Sequence, residues 1–112
     1  MKKIEAIIRS EKLNSVKDAL RTYGVSGLKV TPASGCGKQK MHSQSYRSVE
    51  YPVHLIPRGK IEIIVMDNVV EEIIEVITKE ARTGEIGDGN IYVSTIENAY
   101  SIITGATGEQ VI

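Results

Sequence analysis

The chain has 112 residues and a mass of 12.3 kDa, a size that fits one domain and is too small for two. Hydrophobic residues make up 41% and charged residues 25%, which excludes disordered, collagen-like and disulfide-scaffold proteins. The single cysteine, Cys36, has no partner for an internal disulfide. Neither a signal-like apolar segment nor an apolar run of about 18 residues is present, so we expect a complete cytoplasmic chain without direct membrane insertion.

The net charge of zero hides an asymmetry between the two halves of the chain. Residues 1–60 hold twelve Lys and Arg against four acids, whereas residues 61–112 hold two against ten. The halves either neutralise each other, within one fold or between subunits, or the basic half serves an anionic ligand at a local site. Nucleic acid is a poor candidate, because the field is not positive overall and five scattered tyrosines make no stacking platform.

The first part of the chain predicts a strand, a helix and a second strand. Alternating apolar residues indicate a strand over 2–9. Helical spacing begins at Leu13, with Asn14 or Ser15 as the expected cap and Gly24 as the expected stop. A second strand follows from Leu28 to about residue 33.

The 22 residues from 37 to 58 show no sustained period and exceed an ordinary connection. Alternation then returns over 60–65, and Asp67 or Asn68 is the expected cap of a helix that stops near Arg82. A glycine-rich bridge over 83–89 leads to a fourth strand over 91–95.

This order of elements predicts an α+β fold, the ferredoxin-like βαββαβ sandwich, with two helices on one face of a four-stranded antiparallel sheet. Ile7, Ile64 and Val93 are expected to point away from the helices. An apolar outer face needs cover, so we expect other subunits to bury it, most simply in a homotrimer.

Two glycine-rich turns are candidate phosphate-binding sites, at 35–40 (GCGKQK) and at 84–89 (GEIGDG). Each is also compatible with an ordinary turn. Cys36, His42 and His54 match no zinc spacing, and neither histidine has an acid tied to it, so we expect no metal site of their own. No arrangement of catalytic side chains stands out.

Several motifs together resemble the nitrogen regulatory PII signalling proteins. They are YRSVEY at 46–51, LIPRGKIE at 55–62, MKKIEAIIR at 1–9, the 35–40 turn and RTGEIGDG at 82–89. The resemblance runs nearly end to end and describes one PII-like domain over 1–112. That domain has a T-loop at 37–58, a B-loop at 82–90 and a C-terminal tail at 101–112.

The resemblance implies a non-enzymatic homotrimer that binds ATP or ADP between subunits, with Mg and 2-oxoglutarate at the base of the T-loop. It also implies regulation by contact. The T-loops of family members dock on an ammonium transporter, a nitrogen-regulatory enzyme or a transcription regulator, and some members are uridylylated on a tyrosine that corresponds to Tyr51.

The resemblance also implies roles for individual residues. The 2-oxoglutarate site would use Gln39, Arg58 and Gly87, and Gln39 would also reach Mg. Arg58 replaces the usual lysine. The nucleotide site would comprise Gly35, Gly37, Lys38, Gln39, Ile64, Gly87, Asp88, Gly89 and Asn90.

Three positions lack cations that the family normally places near phosphate. Asn90 stands in place of a lysine, and Ser101 and Ile103 stand in place of two arginines. Lys29, in place of a threonine, is a further difference whose direction the sequence leaves open. Losing three charge-assisted hydrogen bonds, each worth about 1.5 to 3 kcal/mol, is enough to change the ligand.

Three alternatives therefore stay open. The first is a PII-like protein with altered ligand preference, for AMP or ADP, another small anion or no nucleotide. The second is a slow ATPase that uses Asp88 or Glu85, although nothing in the sequence positions a general base against water. The third is a purely structural trimer, for which a long tyrosine-bearing loop has no use.

Overall fold

The computed structural model describes residues 1–35 and 56–112. Short 3₁₀ turns precede both helices and close the chain. The strands and helices, in chain order, are β1 (Lys2–Arg9), α1 (Leu13–Tyr23), β2 (Lys29–Gly35), β3 (Ile56–Val65), α2 (Val70–Ala81) and β4 (Gly89–Thr95).

The four strands form one antiparallel sheet in the order β2-β3-β1-β4. Both helices pack on the same face, since their buried residues and those of β1 and β3 form one core cluster. This is the predicted ferredoxin-like α+β sandwich. Consecutive strands 1 and 2 are not neighbours, and β1 instead lies between the two strands of the second half of the chain.

The core explains why these segments adopt their structures. Ile4, Ala6 and Ile8 of β1 are at most 2% exposed, and the residues between them are half-buried on the other side, as a period of two requires. Helical spacing places Val16 and Leu20 of α1 against the same layer.

Two details of the helices differ from the sequence prediction. No side chain caps either helix, because each one begins from a 3₁₀ turn, at Ser10–Lys12 and Asp67–Val69. The expected caps at Asn14, Ser15, Asp67 and Asn68 were therefore wrong. The predicted stop at Gly24 is confirmed, since a left-handed φ of 111° lets its N–H reach the carbonyl groups of Leu20 and Arg21.

β3 begins at Ile56, four residues before the predicted start at residue 60. The second residue of β3 is Pro57. Because proline has no N–H to donate to a neighbouring strand, residue preferences argue against a strand at this position. Of the T-loop, residues 37–55 lie outside the described residues, and residues 56–58 belong to β3.

The outer face of the sheet is a mixture of apolar and paired charged side chains. Ile7 and Ile64 lie there, and two ion pairs join neighbouring strands, Lys3–Glu62 at 3.1 Å and Lys60–Glu5 at 3.4 Å. The prediction that Val93 shares this face was wrong. Val93 pairs with buried Ile4 on the helix side, and Tyr92, opposite Glu5, takes the outer position.

After β4 the chain makes a tight hairpin-like excursion. Tyr100 bridges Thr107, and the Ser101 N–H donates to the Ala106 carbonyl at 2.8 Å. Ile102 and Ile103 lie at the tip of this excursion and are essentially fully exposed. Among the helices of the described residues, none is both long and apolar enough to cross a membrane.

Candidate functional site

One end of the sheet brings together most of the described site residues. The register pairs Arg9 with Arg58, Ile8 with Gly89 and Gly35 with Ile56. The base of the T-loop, Arg58 and the B-loop therefore meet at the same edge of the fold.

The B-loop is organised around the carboxylate of Asp88. Its Oδ2 accepts hydrogen bonds from the N–H groups of Thr83 at 2.8 Å and Gly84 at 2.9 Å. Its Oδ1 accepts from the Thr83 hydroxyl and from Nε of Arg9, the latter at 3.0 Å. The loop is thus closed on itself and tied to the end of β1.

These contacts hold the pKa of Asp88 well below its ordinary value, first through the Thr83 hydroxyl and N–H and then through Arg9 and Gly84. A carboxylate offers about four lone-pair sites, and all four are used. Asp88 is therefore unsuited to accept a proton from water, which removes the geometric basis for the slow-ATPase alternative at this residue.

Arg9 is a site residue that sequence reasoning missed. Besides its bond to Asp88, its Nη2 donates to the Ile86 carbonyl at 2.8 Å. A signal was available: alternation puts Arg9 on the outer face at the end of β1, and a ferredoxin-like topology lays the start of the last strand beside that end.

Gly89 marks the closest approach of the B-loop to the sheet. Its φ is 107°, and a Cβ there would lie 1.9 Å from the backbone oxygen of Ile7. Only glycine fits this position. Asn90 comes next and pairs with Ile7, so it faces the outer side.

A cavity of about 270 Å³ lies beneath the B-loop, between the end of α2 and the start of β4. Asp88, Gly89 and Asn90 line its rim, with Arg82 beside them, and core isoleucines form its floor. It is an apolar pocket with polar groups at one edge, an arrangement common among ligand sites.

Ile64 is not brought to this end of the fold. It pairs with Lys3, five residues along β1 from the Ile8–Gly89 pair, a separation of about 17 Å. It lines a larger cavity of about 730 Å³ together with Gly27, Lys29 and residues of the chain terminus. Within one chain, Asp88, Gly89 and Asn90 thus line the smaller cavity, and Ile64 lines the larger one.

The structure shows on which face of the sheet Lys29 lies. It pairs with Glu62 in the register and lies on the outer face beside Ile64, distant from the B-loop of its own chain. The pKa of Glu62 lies below its usual range, mainly because Lys3 donates a hydrogen bond to it, with Lys29 and Lys60 adding attraction. Lys29 does not replace the missing cation at Asn90 within one chain.

Ser101 and Ile103 also lie away from the B-loop in sequence and structure. The segment that carries them leaves the end of β4 at Ile96 and returns at Val111, and both of these residues lie in the wall of the larger cavity. The tail and Ile64 therefore belong to the same end of the chain's fold.

Four site residues of the sequence analysis, Gly37, Lys38, Gln39 and Tyr51, lie outside the described residues, as do Cys36, His42 and His54. Within 1–35 and 56–112, no group of three or more His, Cys, Asp or Glu is placed to hold a metal ion.

Comparison with known proteins finds the family model "Nitrogen regulatory protein P-II", which matches residues 1–106. Curated proteins of that name are similar over nearly the whole chain. One from Mesorhizobium japonicum is 53% identical over 108 residues and one from Bradyrhizobium diazoefficiens 52%, each match covering 96% of both chains. One from Cereibacter sphaeroides is 48% identical over 112 residues and covers all of both chains.

Replacing Gly89 by alanine tests the close approach of the B-loop to the sheet. We expect Gly89→Ala to lower the free energy of unfolding by about 2 kcal/mol or more, because the new Cβ collides with backbone and the φ is strained. Gly105→Ala is the matched control: its φ is 75°, but its Cβ would meet open space, so only the strain of about 1 kcal/mol applies. Urea denaturation measures both, and equal losses would show that the collision is absent.

Proposed function

Because the chain belongs to the nitrogen regulatory P-II family, whose members are non-enzymatic signal transducers, we propose that it senses adenine nucleotide and 2-oxoglutarate in the cytoplasm. It passes this signal to nitrogen-metabolism targets through its T-loop. The observation that supports the proposal is the convergence of Gly35, Arg58 and the B-loop at the base of that loop.

Members of the family generally bind ATP or ADP and 2-oxoglutarate. The residues at this end fit an anionic ligand. The outer surface here carries Arg9, Arg58 and Lys60 against the acids Asp88 and Glu5, and a glycine-rich backbone can approach phosphate closely. In our proposal Gly35, Gly37, Lys38, Gly87 and Gly89 meet the nucleotide, and the side chains of Arg58 and Gln39 meet the oxo-acid.

When bound, Mg²⁺ would neutralise phosphate charge and offer a coordination position to the oxo-acid. Gln39 is the residue proposed to reach it, and Gly87 would contact the 2-oxoglutarate. Because these groups surround the base of the T-loop, ligand occupancy would favour some arrangements of the loop over others. Each arrangement would suit a different target, such as an ammonium transporter or a nitrogen-regulatory enzyme, and Tyr51 is the proposed site of modification.

The division of the site between two cavities supports assembly of several protomers. A nucleotide that touched both the B-loop and Ile64 of one chain would have to span about 17 Å along the sheet. If a second copy places its Ile64 end against the B-loop end of the first, the site is completed at the junction. PII proteins are generally trimeric, and we propose the same for this chain.

The trimer predicts a mass in solution of about 37 kDa, three times the 12.3 kDa of one chain, by light scattering. Ile64→Glu should shift the mass toward that of a monomer, because it replaces an apolar side chain at the proposed junction with a charge that must lose its water there. Thr22→Glu, on the exposed side of α1, adds the same charge and should leave the mass unchanged. A monomer mass for the unmodified protein at micromolar concentration would contradict the trimer.

A second candidate function is a sensor that prefers a less charged ligand, such as AMP, ADP or another small anion. The specific observation is that Asn90, Ser101 and Ile103 offer no cation where the family normally has one. Ile103 is 93% exposed at the tip of the tail.

Calorimetry with ATP, ADP and AMP separates the two candidates. Restoring the family pattern with Asn90→Lys, Ser101→Arg and Ile103→Arg should raise ATP affinity several-fold more than AMP affinity, if each contact adds about 1 kcal/mol. Tight ATP binding by the unmodified protein, unaffected by these substitutions, would show that other cations already meet the phosphates.

The oxo-acid site is tested by replacing Gln39 and Arg58 together with alanine. In the presence of Mg-ATP, binding of 2-oxoglutarate should be lost, because both the proposed metal contact and the carboxylate partner are removed. Arg21→Ala, an exposed cation on α1, is the charge control and should retain binding. The trimer mass serves as the folding check, and retained oxo-acid binding in the double variant would refute the assignment.

A further inference from the structure

The hydrogen bonds of the B-loop divide into local ones and one long-range set. The bonds from Thr83 and Gly84 to Asp88 span at most five residues of the same loop. The two bonds from Arg9 span 77 and 79 residues and reach the loop at two points, the Asp88 carboxylate and the Ile86 carbonyl. Within the described residues, Arg9 is the only side chain that hydrogen-bonds residues 83–88 to the sheet.

The position of Arg9 is fixed by the strand that carries it. It is the last residue of β1, and Gly89 lies against the preceding strand residues so closely that a side chain has no room. The guanidinium is planar and presents several N–H groups in a rigid fork, which lets one side chain hold two acceptors at once. Its side chain is 20% exposed; the bond to Asp88 is partly buried, and the bond to the Ile86 carbonyl is exposed.

We infer that Arg9 and Asp88 are positioning residues: together they clamp the B-loop onto the end of β1 and set the backbone conformation in which the loop meets its ligand. The Asp88 carboxylate is then part of the scaffold, since its four acceptor sites are used within the chain. What the loop offers a ligand is its backbone, at Gly87 and its neighbours. The part of this inference that concerns ligand binding rests on the proposed function.

The clamp predicts a dependence on pH with a definite sign. The pKa of Asp88 is lowered in the folded protein, so the clamp is fully present above the ordinary aspartate range and is lost as pH falls through the lowered value. The charged groups around it in the described residues are Arg9 on β1, Arg58 on the adjacent β3, and Arg82 and Glu85 on the loop. Removing Arg9 should therefore move the loss of the clamp to higher pH.

The first experiment uses the ligand-free protein. Arg9→Gln should speed hydrogen exchange at the Thr83 and Gly84 amides by about tenfold and raise the midpoint of the Asp88 carboxyl titration seen by NMR. Arg9→Lys keeps the positive charge but loses the forked guanidinium. It should therefore bring the Asp88 titration midpoint closer to that of the unmodified protein than it brings the exchange rates of the Thr83 and Gly84 amides. Arg21→Gln removes an equal charge from exposed α1 and should change neither.

Exchange at the β1 and β3 amides is the internal check for folding. Unchanged loop exchange and an unchanged Asp88 midpoint in Arg9→Gln, with those strands still protected, would overturn the clamp.

The second experiment measures ADP affinity of the same variants by calorimetry. A loosened loop should weaken binding by about fivefold or more in Arg9→Gln, with partial rescue in Arg9→Lys. A loop that loosens while affinity stays unchanged would overturn the positioning role. If the unmodified protein binds neither ATP, ADP nor AMP, the proposed function fails, whereas the exchange and titration results still decide the clamp.

Discussion

The arrangement of this molecule depends on the pairing of β1 along both of its edges. β1 is the first strand in sequence, yet β3 and β4 flank it, so its register fixes where every later element lies. The Ile8–Gly89 pair sets the B-loop beside Arg9, and the Lys3–Ile64 pair sets Ile64 at the opposite end. A shift by one residue would turn Ile4, Ala6 and Ile8 outward, so core burial enforces this register.

The sequence could predict the fold because its apolar periods are clear. Alternation at Ile4, Ala6 and Ile8 and helical spacing at Val16 and Leu20 each correspond to buried residues. The predicted stop at Gly24 is confirmed because a left-handed residue after the helix is a local requirement of the backbone. The ferredoxin-like topology places Gly35, Arg58 and the B-loop at one end of the sheet.

Features that depend on contacts distant in sequence were harder to predict. Val93 ends a run of three apolar residues, after Ile91 and Tyr92, so only the register with Ile4 reveals which face it takes. The helix caps were wrong because a 3₁₀ turn satisfied the first N–H groups instead, an option that residue preferences do not distinguish. The role of Asp88 was equally hidden, since its sequence context suggests a ligand contact and only the bond from Arg9, 79 residues away, identifies a scaffold role.

The charge asymmetry between the halves of the chain has a structural explanation in the same strand pairing. Because β1 lies between β3 and β4, cations of residues 1–60 lie beside acids of residues 61–112, as in Lys3–Glu62 and Arg9–Asp88. These pairs are partly exposed, so water screens them, and their larger effect is on position. The Arg9–Asp88 pair orders the B-loop. The Lys3–Glu62 pair places two mutually neutralised charges beside Ile64, on the face that the proposed trimer would bury. The strand pairing thus brings the basic half and the acidic half together within one chain, which accounts for a net charge of zero without a separate positive surface.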